Sequence, residues 1–423
     1  MGMLYISTIL LLVVHGGSIV LADSRINLEN SRTRSEIREI DANQVESWRD
    51  EILGFESPLI VRNVVDVLDS WTPKGISERH QGVNDLVVKY QYDTPIFSYY
   101  NKRPLAESNV RGTPAEPSFR VKTVSMSEFS RLETENYHYS SMPIEDLPSS
   151  LRQEIEQLHP VENIGEYDSM HLWMSSKNIV AYPHYDTSDN LFLQLRGLKR
   201  FYLASPDTTI RDLRLYPALH PRYRQIQDLK TFETTRMTVK TLRPGDLLVL
   251  PAYYLHKVEA LNASTSINLW TESESFKISE TLFQSALPFE SEWSDPSIRS
   301  NAVILFLQEI SRMLYNDETC SNENDVFVSL RNRYESAYHN HKVDINDEWR
   351  HCDSFDSMFQ KETAHKIKQR AHDVHIKILM SIKSESVRFL YFANLIEFLV
   401  LWAVQGEARY VRSFLSSSSG CFQ

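Results

Sequence analysis

His184 and Asp186 stand one residue apart in Ala181-Tyr182-Pro183-His184-Tyr185-Asp186, and a second histidine, His256, closes the run Pro251-Ala252-Tyr253-Tyr254-Leu255-His256. On a β-strand, side chains two apart share a face, so His184 and Asp186 are predicted to lie side by side. Two imidazole nitrogens and one carboxylate oxygen on one side of a metal form a 2-His-1-carboxylate triad, which leaves the opposite positions open for substrate and O2. A His-x-Asp triplet alone equally fits a polar surface dipeptide. The elements around it must decide.

Three neighbours favour the metal. Pro244-Gly245-Asp246 reads as a turn into Leu247-Leu248-Val249-Leu250, an apolar strand expected to deliver His256 to a β interior. Lys199, flanked by apolar residues in Leu198-Lys199-Arg200-Phe201-Tyr202-Leu203, is read on the strand after Asp186. An anion to bind is one reason for such a lysine; a snorkelling surface position is another. Asn190 is predicted to point to the same side as Asp186. For His256 the bland alternative is a core histidine with a satisfied partner.

The elements that position these residues are mostly strands. From Met170 to Trp270, short apolar runs alternate with turns, which suits an antiparallel sandwich or jelly roll enclosing a pocket. Before it, helical spacing covers residues 41–55 and 64–71, and 148–158 is read as a short helix. Strands are predicted at 59–61, 86–90, 96–100, 121–124 (entering a helix through a Ser125 cap) and 136–140, with a Pro/Gly-bearing loop at 102–117. After it, helices are predicted at 298–314, 326–338, 358–381 and 386–404. The last is interrupted by Asn394 and Glu397 and falls short of the roughly 20 apolar residues of a membrane span, so it reads as a buried or interface helix.

The chain has 423 residues, 42% of them hydrophobic, enough for a sizeable core. A formal net charge of -11 argues against general binding to nucleic acid. Residues 1–22 read as a signal peptide, which predicts the secretory pathway, either the endoplasmic reticulum lumen or secretion. Their lack of Lys or Arg before the apolar tract leaves an uncleaved anchor or a different start open. Cys320, Cys352 and Cys421 supply no disulfide framework for the main domain; in an oxidising compartment Cys320 and Cys352 are one candidate bridge. Asn262-Ala263-Ser264 is a glycosylation sequon expected in a surface loop.

Taken together, His184 to Phe201, Arg243 to His256 and Ile267-Asn268-Leu269-Trp270 resemble the cupin-like JmjC family of Fe(II)- and 2-oxoglutarate-dependent oxygenases, related to the asparaginyl hydroxylase that inhibits hypoxia-inducible factor. Leu215-Tyr216-Pro217 and His220-Pro221 are similar to that group's inter-strand connection. The resemblance implies a mainly β fold with α: a double-stranded β-helix (jelly roll, cupin) core with flanking helices over 23–285, then a helical C-terminal region over 286–423. It implies that His184, Asp186 and His256 hold Fe(II) and carry catalysis, and that Lys199 pairs with the distal carboxylate of 2-oxoglutarate. Asn190, Asn268 and Tyr139 match family positions around that cosubstrate. One departure is Ala181, where the family carries Thr or Ser. A hydroxyl contact to the cosubstrate is then missing unless Tyr182 or Tyr139 substitutes.

The function so implied is hydroxylation of a protein or peptide side chain, using O2 and releasing succinate and CO2. N-methyl demethylation is the less common outcome in the family, and no zinc-finger or chromatin-reader segment accompanies the domain. A catalytically silent protein acting as a binding partner is the alternative from another class. Cupin isomerases and storage proteins usually carry more histidines at the metal and lack the lysine. A homodimer through the C-terminal helices is a further expectation from the resemblance.

Overall fold

The computed structural model describes residues 37–45, 52, 55–67, 70–80, 82–100, 117–135, 137–158, 167–218, 220–284, 296–315, 326–337 and 359–403. The leader at 1–22, almost all of the 102–117 loop and the three cysteines lie outside them. Helical spacing over 41–55 falls largely outside them too, and Asp41 itself closes a strand.

The strands run β1 (Arg38–Asp41), β2 (Leu59–Arg62), β3 (Leu86–Gln91), β4 (Ile96–Phe97), β5 (Arg120–Val124), β6 (Tyr137–Pro143), β7 (Tyr167–Ser175) and β8 (Val180–His184). They continue as β9 (Asp189–Arg196), β10 (Lys199–Ala204), β11 (Thr238–Leu242), β12 (Leu247–Leu250), β13 (Leu255–Ala260) and β14 (Ser264–Thr271). Nine form a major sheet in the order β1-β2-β12-β9-β14-β7-β6-β3-β5, and five a minor sheet in the order β11-β10-β13-β8-β4. Successive strands cross between sheets (β8 minor, β9 major, β10 minor; β12 major, β13 minor), which is the jelly-roll pattern expected from the sequence. β12 is buried along its whole length, as an apolar run covered on both faces must be.

Short helices close the N-terminal side. α1 (Pro73–Arg79) starts at a Thr72 cap with Pro at its first turn, and α2 (Met126–Leu132) at the expected Ser125 cap. Residues 64–71 are not helical where described; the Thr72-Pro73 pair, not the apolar spacing before it, marks the start. α3 (Ser149–Leu158) matches its prediction. Two helices that the sequence reading left within the β region, α4 (Pro206–Asp212) and α5 (Leu229–Thr234), are capped by Ser205 and Asp228.

α6 (Glu274–Gln284) follows β14 where the sequence predicts no helix; beyond it the C-terminal region is helical as predicted: α7 (Pro296–Tyr315), α8 (Val326–Ala337), α9 (Lys361–Ser381) and α10 (Glu385–Ala403). Among the described residues no helix is long and apolar enough to cross a membrane. These helices share one apolar cluster with Tyr182, Tyr185, Leu215, Tyr253 and Leu255, so they pack on the outside of the metal-ligand segment. A second cluster lies between the major sheet and α1–α3. The sequon departs from a plain surface loop. Asn262 is exposed in the β13–β14 turn, but its Oδ1 accepts the Leu198 N–H at 2.6 Å, and Ser264 is wholly buried against Ser175 at 2.9 Å.

Candidate metal centre

β8 and β13 are antiparallel neighbours, and His184 and His256 are directly opposed, with ring centroids 4.3 Å apart. Cross-strand pairing therefore joins ligands distant in sequence. His256 is the second residue of β13, not the end of the apolar strand β12; the turn at 251–254 carries the chain from one sheet to the other. Ligand atoms of His184, Asp186 and His256 all lie within 4.8 Å of one another.

Neighbours fix each ligand. Nδ1 of His184 donates to the Tyr182 carbonyl at 2.7 Å, and Nδ1 of His256 donates to the Tyr254 carbonyl at 3.0 Å. A carbonyl only accepts, so each Nδ1 carries a proton, which in the neutral ring leaves the Nε2 lone pair as the metal-binding atom. Burial, and then the neighbouring His184, push His256 down to about 4, which keeps its ring neutral near pH 7. Burial alone would raise Asp186; the two histidines, a hydrogen bond from Trp270 Nε1 (3.3 Å to Oδ2) and Arg224 outweigh it and hold the carboxyl below its usual range.

Asp186 differs from expectation in one respect. It lies two residues beyond the end of β8, so strand alternation does not aim it. Its segment is tied down instead. The Tyr253 N–H donates to the Asp186 carbonyl at 2.8 Å, Ser273 Oγ to the Thr187 carbonyl at 2.6 Å, and the Ala252 N–H to Asp189 Oδ1 at 2.8 Å. Tyr253 holds its place with φ of 68°, a left-handed conformation uncommon for a non-glycine residue and typical of constrained functional turns.

A cavity of about 560 Å³, counting its open mouth, extends from the triad between the sheets. Lys199, Asn190, Asn268, Tyr139 and Ala181 all line it, so every cosubstrate position named from the sequence comes together there. Lys199 lies two strands after His184, with β9 between. It is 5% exposed, its Nζ donates to Ser266 Oγ at 2.8 Å, and it lies 4.9 Å from the centre of the Phe192 ring. Among the described residues it pairs with no carboxylate, and burial pushes its ammonium down to about 7. Asn268 bridges Asn190 at 3.4 Å and accepts from Trp173 Nε1. Tyr139 is part-buried on the cavity wall, and its burial raises its phenol and keeps it a neutral donor.

The Ala181 position is set by a β-bulge. His256 pairs with His184 and Val258 with Ala181, so β8 spends three residues where β13 spends two. The extra residue turns Ala181 and His184, three apart, to the same cavity. Tyr182 faces the other way, into the C-terminal helical cluster, with the Arg222 guanidinium 4.4 Å from its ring centre. Tyr182 therefore does not replace the missing hydroxyl; Tyr139 remains on the cavity wall. Ser266, Trp173 and the bond from Trp270 to Asp186 had no role in the sequence reading. Their signal was inward-facing polar and aromatic residues on β7 and β14, readable only once the strand register is known.

Fold and site together define a jelly-roll protein with a 2-His-1-carboxylate centre and a buried lysine lining one cavity. A family model described as a cupin-like domain matches residues 44–276, more than half of the chain, which belongs to this family of JmjC-type cupin proteins. Over 176 residues the chain is 28% identical to tRNA wybutosine-synthesizing protein 5 of Danio rerio, covering 36% of this chain and 50% of that one. Over 117 residues it is 35% identical to HSPB1-associated protein 1 of Rattus norvegicus, covering 24% of each. A solved structure of E. coli ycfD aligns with a TM-score of 0.35 at 14% identity, over 59% of this chain and 60% of that one. The chain spans half or less of the length of these curated relatives.

Proposed function

We propose that this chain is an Fe(II)- and 2-oxoglutarate-dependent oxygenase that hydroxylates a protein or peptide side chain. The observation that carries the reading is one cavity lined by the His184-Asp186-His256 triad and by a buried lysine that has no carboxylate partner among the described residues. A divalent metal suits two imidazole Nε2 atoms and one carboxylate, and a dicarboxylate suits an ammonium held away from other anions. With both bound, the metal supplies the activation of O2 that couples loss of CO2 from the cosubstrate, leaving succinate, to hydroxylation of a C–H bond. The protein's share is positioning. His184, His256 and Asp186 hold one face of the metal, Lys199 anchors the far carboxylate, and Asn190, Asn268 and Tyr139 orient the acid between them. Trp173, Trp270 and Phe192 wall the cavity.

Ala181 supports a second reading, a catalytically silent binding partner. One relative is named for tRNA wybutosine synthesis, which adds a modified nucleoside to the substrate classes to be tested; the net charge of -11 weighs toward protein. Purified protein supplied with Fe(II), ascorbate and labelled 2-oxoglutarate is expected to release succinate above a His184→Ala background. Absence of both iron uptake and succinate release would leave the binding reading. Trapping with the His184→Ala variant, followed by treatment of the captured peptides or nucleosides with the parent protein and mass spectrometry for a single added oxygen, separates the substrate classes.

A further inference from the structure

α10 is apolar from Phe389 onward except for two polar side chains one turn apart, Asn394 and Glu397, which bond to Tyr185 and to the Ala218 N–H in the jelly-roll domain. Burying them costs more than packing leucine there unless partners replace the lost water. Asn394 makes this plain: its Nδ2 is buried with no hydrogen-bond partner, and its Oδ1 accepts from Tyr185 Oη at 3.0 Å. Exchanging the oxygen and nitrogen of the amide would reverse that bond's direction and leave the same two residues joined. Glu397, 3% exposed, accepts the Ala218 N–H at 2.8 Å from the connection after α4.

Tyr185 is the residue between the two metal ligands of its segment. It points away from the cavity, is buried, and stacks on Tyr253 with ring centres 5.5 Å apart. Tyr253 in turn gives its N–H to the Asp186 carbonyl. Asp186 has left the β8 ladder, so its place depends on such outside ties.

We propose that Asn394 is a positioning residue for the metal centre: by holding the Tyr185 hydroxyl it sets the segment that presents His184 and Asp186, and so makes metal affinity depend on the C-terminal helical region. The inference rests on the metal centre of the proposed function and goes beyond it, since neither Asn394 nor Tyr185 touches the site. Hydrogen bonds that orient metal ligands typically contribute 10- to 100-fold in affinity.

The test is titration of the full chain with Co(II) alone, followed by visible absorption, whose bands report ligand geometry. At a temperature where far-UV circular dichroism shows each variant folded, Asn394→Leu is expected to weaken Co(II) binding about tenfold and to shift the bands. Tyr185→Phe, which removes the same bond by deleting one oxygen, is expected to do the same, and the double variant to fall no further than either single one. Phe398→Ser, on the exposed side of the same helix, is expected to leave both readouts unchanged. Co(II) affinity within twofold of the parent with unshifted bands, or an additive double variant, overturns the inference. Should Asn394→Leu not fold, Tyr185→Phe decides by the same criteria. A parent chain that takes up no Co(II) removes the metal centre and the inference with it, whereas a binding parent with unmoved variants removes the inference alone.

Discussion

The triad and the lysine that line one cavity are held differently. In the triad, both histidines commit Nδ1 to a carbonyl, Asp186 takes a hydrogen bond from Trp270, and its segment is tied by Tyr253, Ser273 and Asp189. Along the wall, Lys199 rests on one serine hydroxyl and one aromatic ring. The triad is preorganised by the protein, which fixes both tautomer and direction. The lysine is held ready by its burial, and the anion it is suited to would supply most of its electrostatic stabilisation.

That contrast sets an order of effects. Replacing a ligand, as in Asp186→Ala, is expected to reduce both metal uptake and succinate release to background, read by metal analysis of dialysed protein. Lys199→Met is expected to leave metal uptake intact while raising the KM for 2-oxoglutarate by about 10- to 100-fold, the loss of one charge-assisted pair. Equal damage to metal and cosubstrate binding by this variant would erase the distinction between the triad and the lysine.

Lys199 also predicts a pH dependence. With its folded value pushed to about 7, the unfolded chain binds the proton more tightly between there and the ordinary lysine range. Unfolding free energy should therefore rise with pH above about 7, by at most about 1.4 kcal/mol per pH unit from this group, and stay flat in its contribution below. Urea titrations at pH 7 and 9 test this, and Lys199→Met should remove that component. Binding 2-oxoglutarate near pH 8 should take up protons, visible as a buffer-dependent heat of binding. The smallest effect is expected from Ala181→Thr: a restored hydroxyl on the wall lowers the KM for 2-oxoglutarate roughly two- to tenfold.

The sequence marked His184 and Asp186 by their spacing and His256 by its turn, but only their neighbours and the family resemblance raised them above a surface dipeptide and a core histidine; the structure brings the three together in a cluster that could hold a metal. What the sequence misplaced depended on geometry that one strand cannot show. The bulge in β8 reverses the face of Tyr182 relative to simple alternation, and Asp186 is aimed by anchors from elsewhere rather than by its strand. Ser266 and Trp173 gain their roles through pairing of β14 with β7 and β9, a register written in no single segment. The short helices α4 and α5 were announced by Ser205-Pro206 and Asp228, but six or seven residues carry too little periodicity to outvote a surrounding β pattern.

Two of the chain's 7 tryptophans, Trp173 and Trp270, have their indole N–H groups bonded inside the cavity, one to Asn268 and one to Asp186. A paramagnetic ion held by Asp186 would lie within quenching range of Trp270, and a molecule lodged against Asn268 would alter the polarity felt by Trp173. The two rings lie 6.0 Å apart, so together they form one built-in optical probe of the cavity, and adding metal and 2-oxoglutarate separately should change its fluorescence in distinguishable ways.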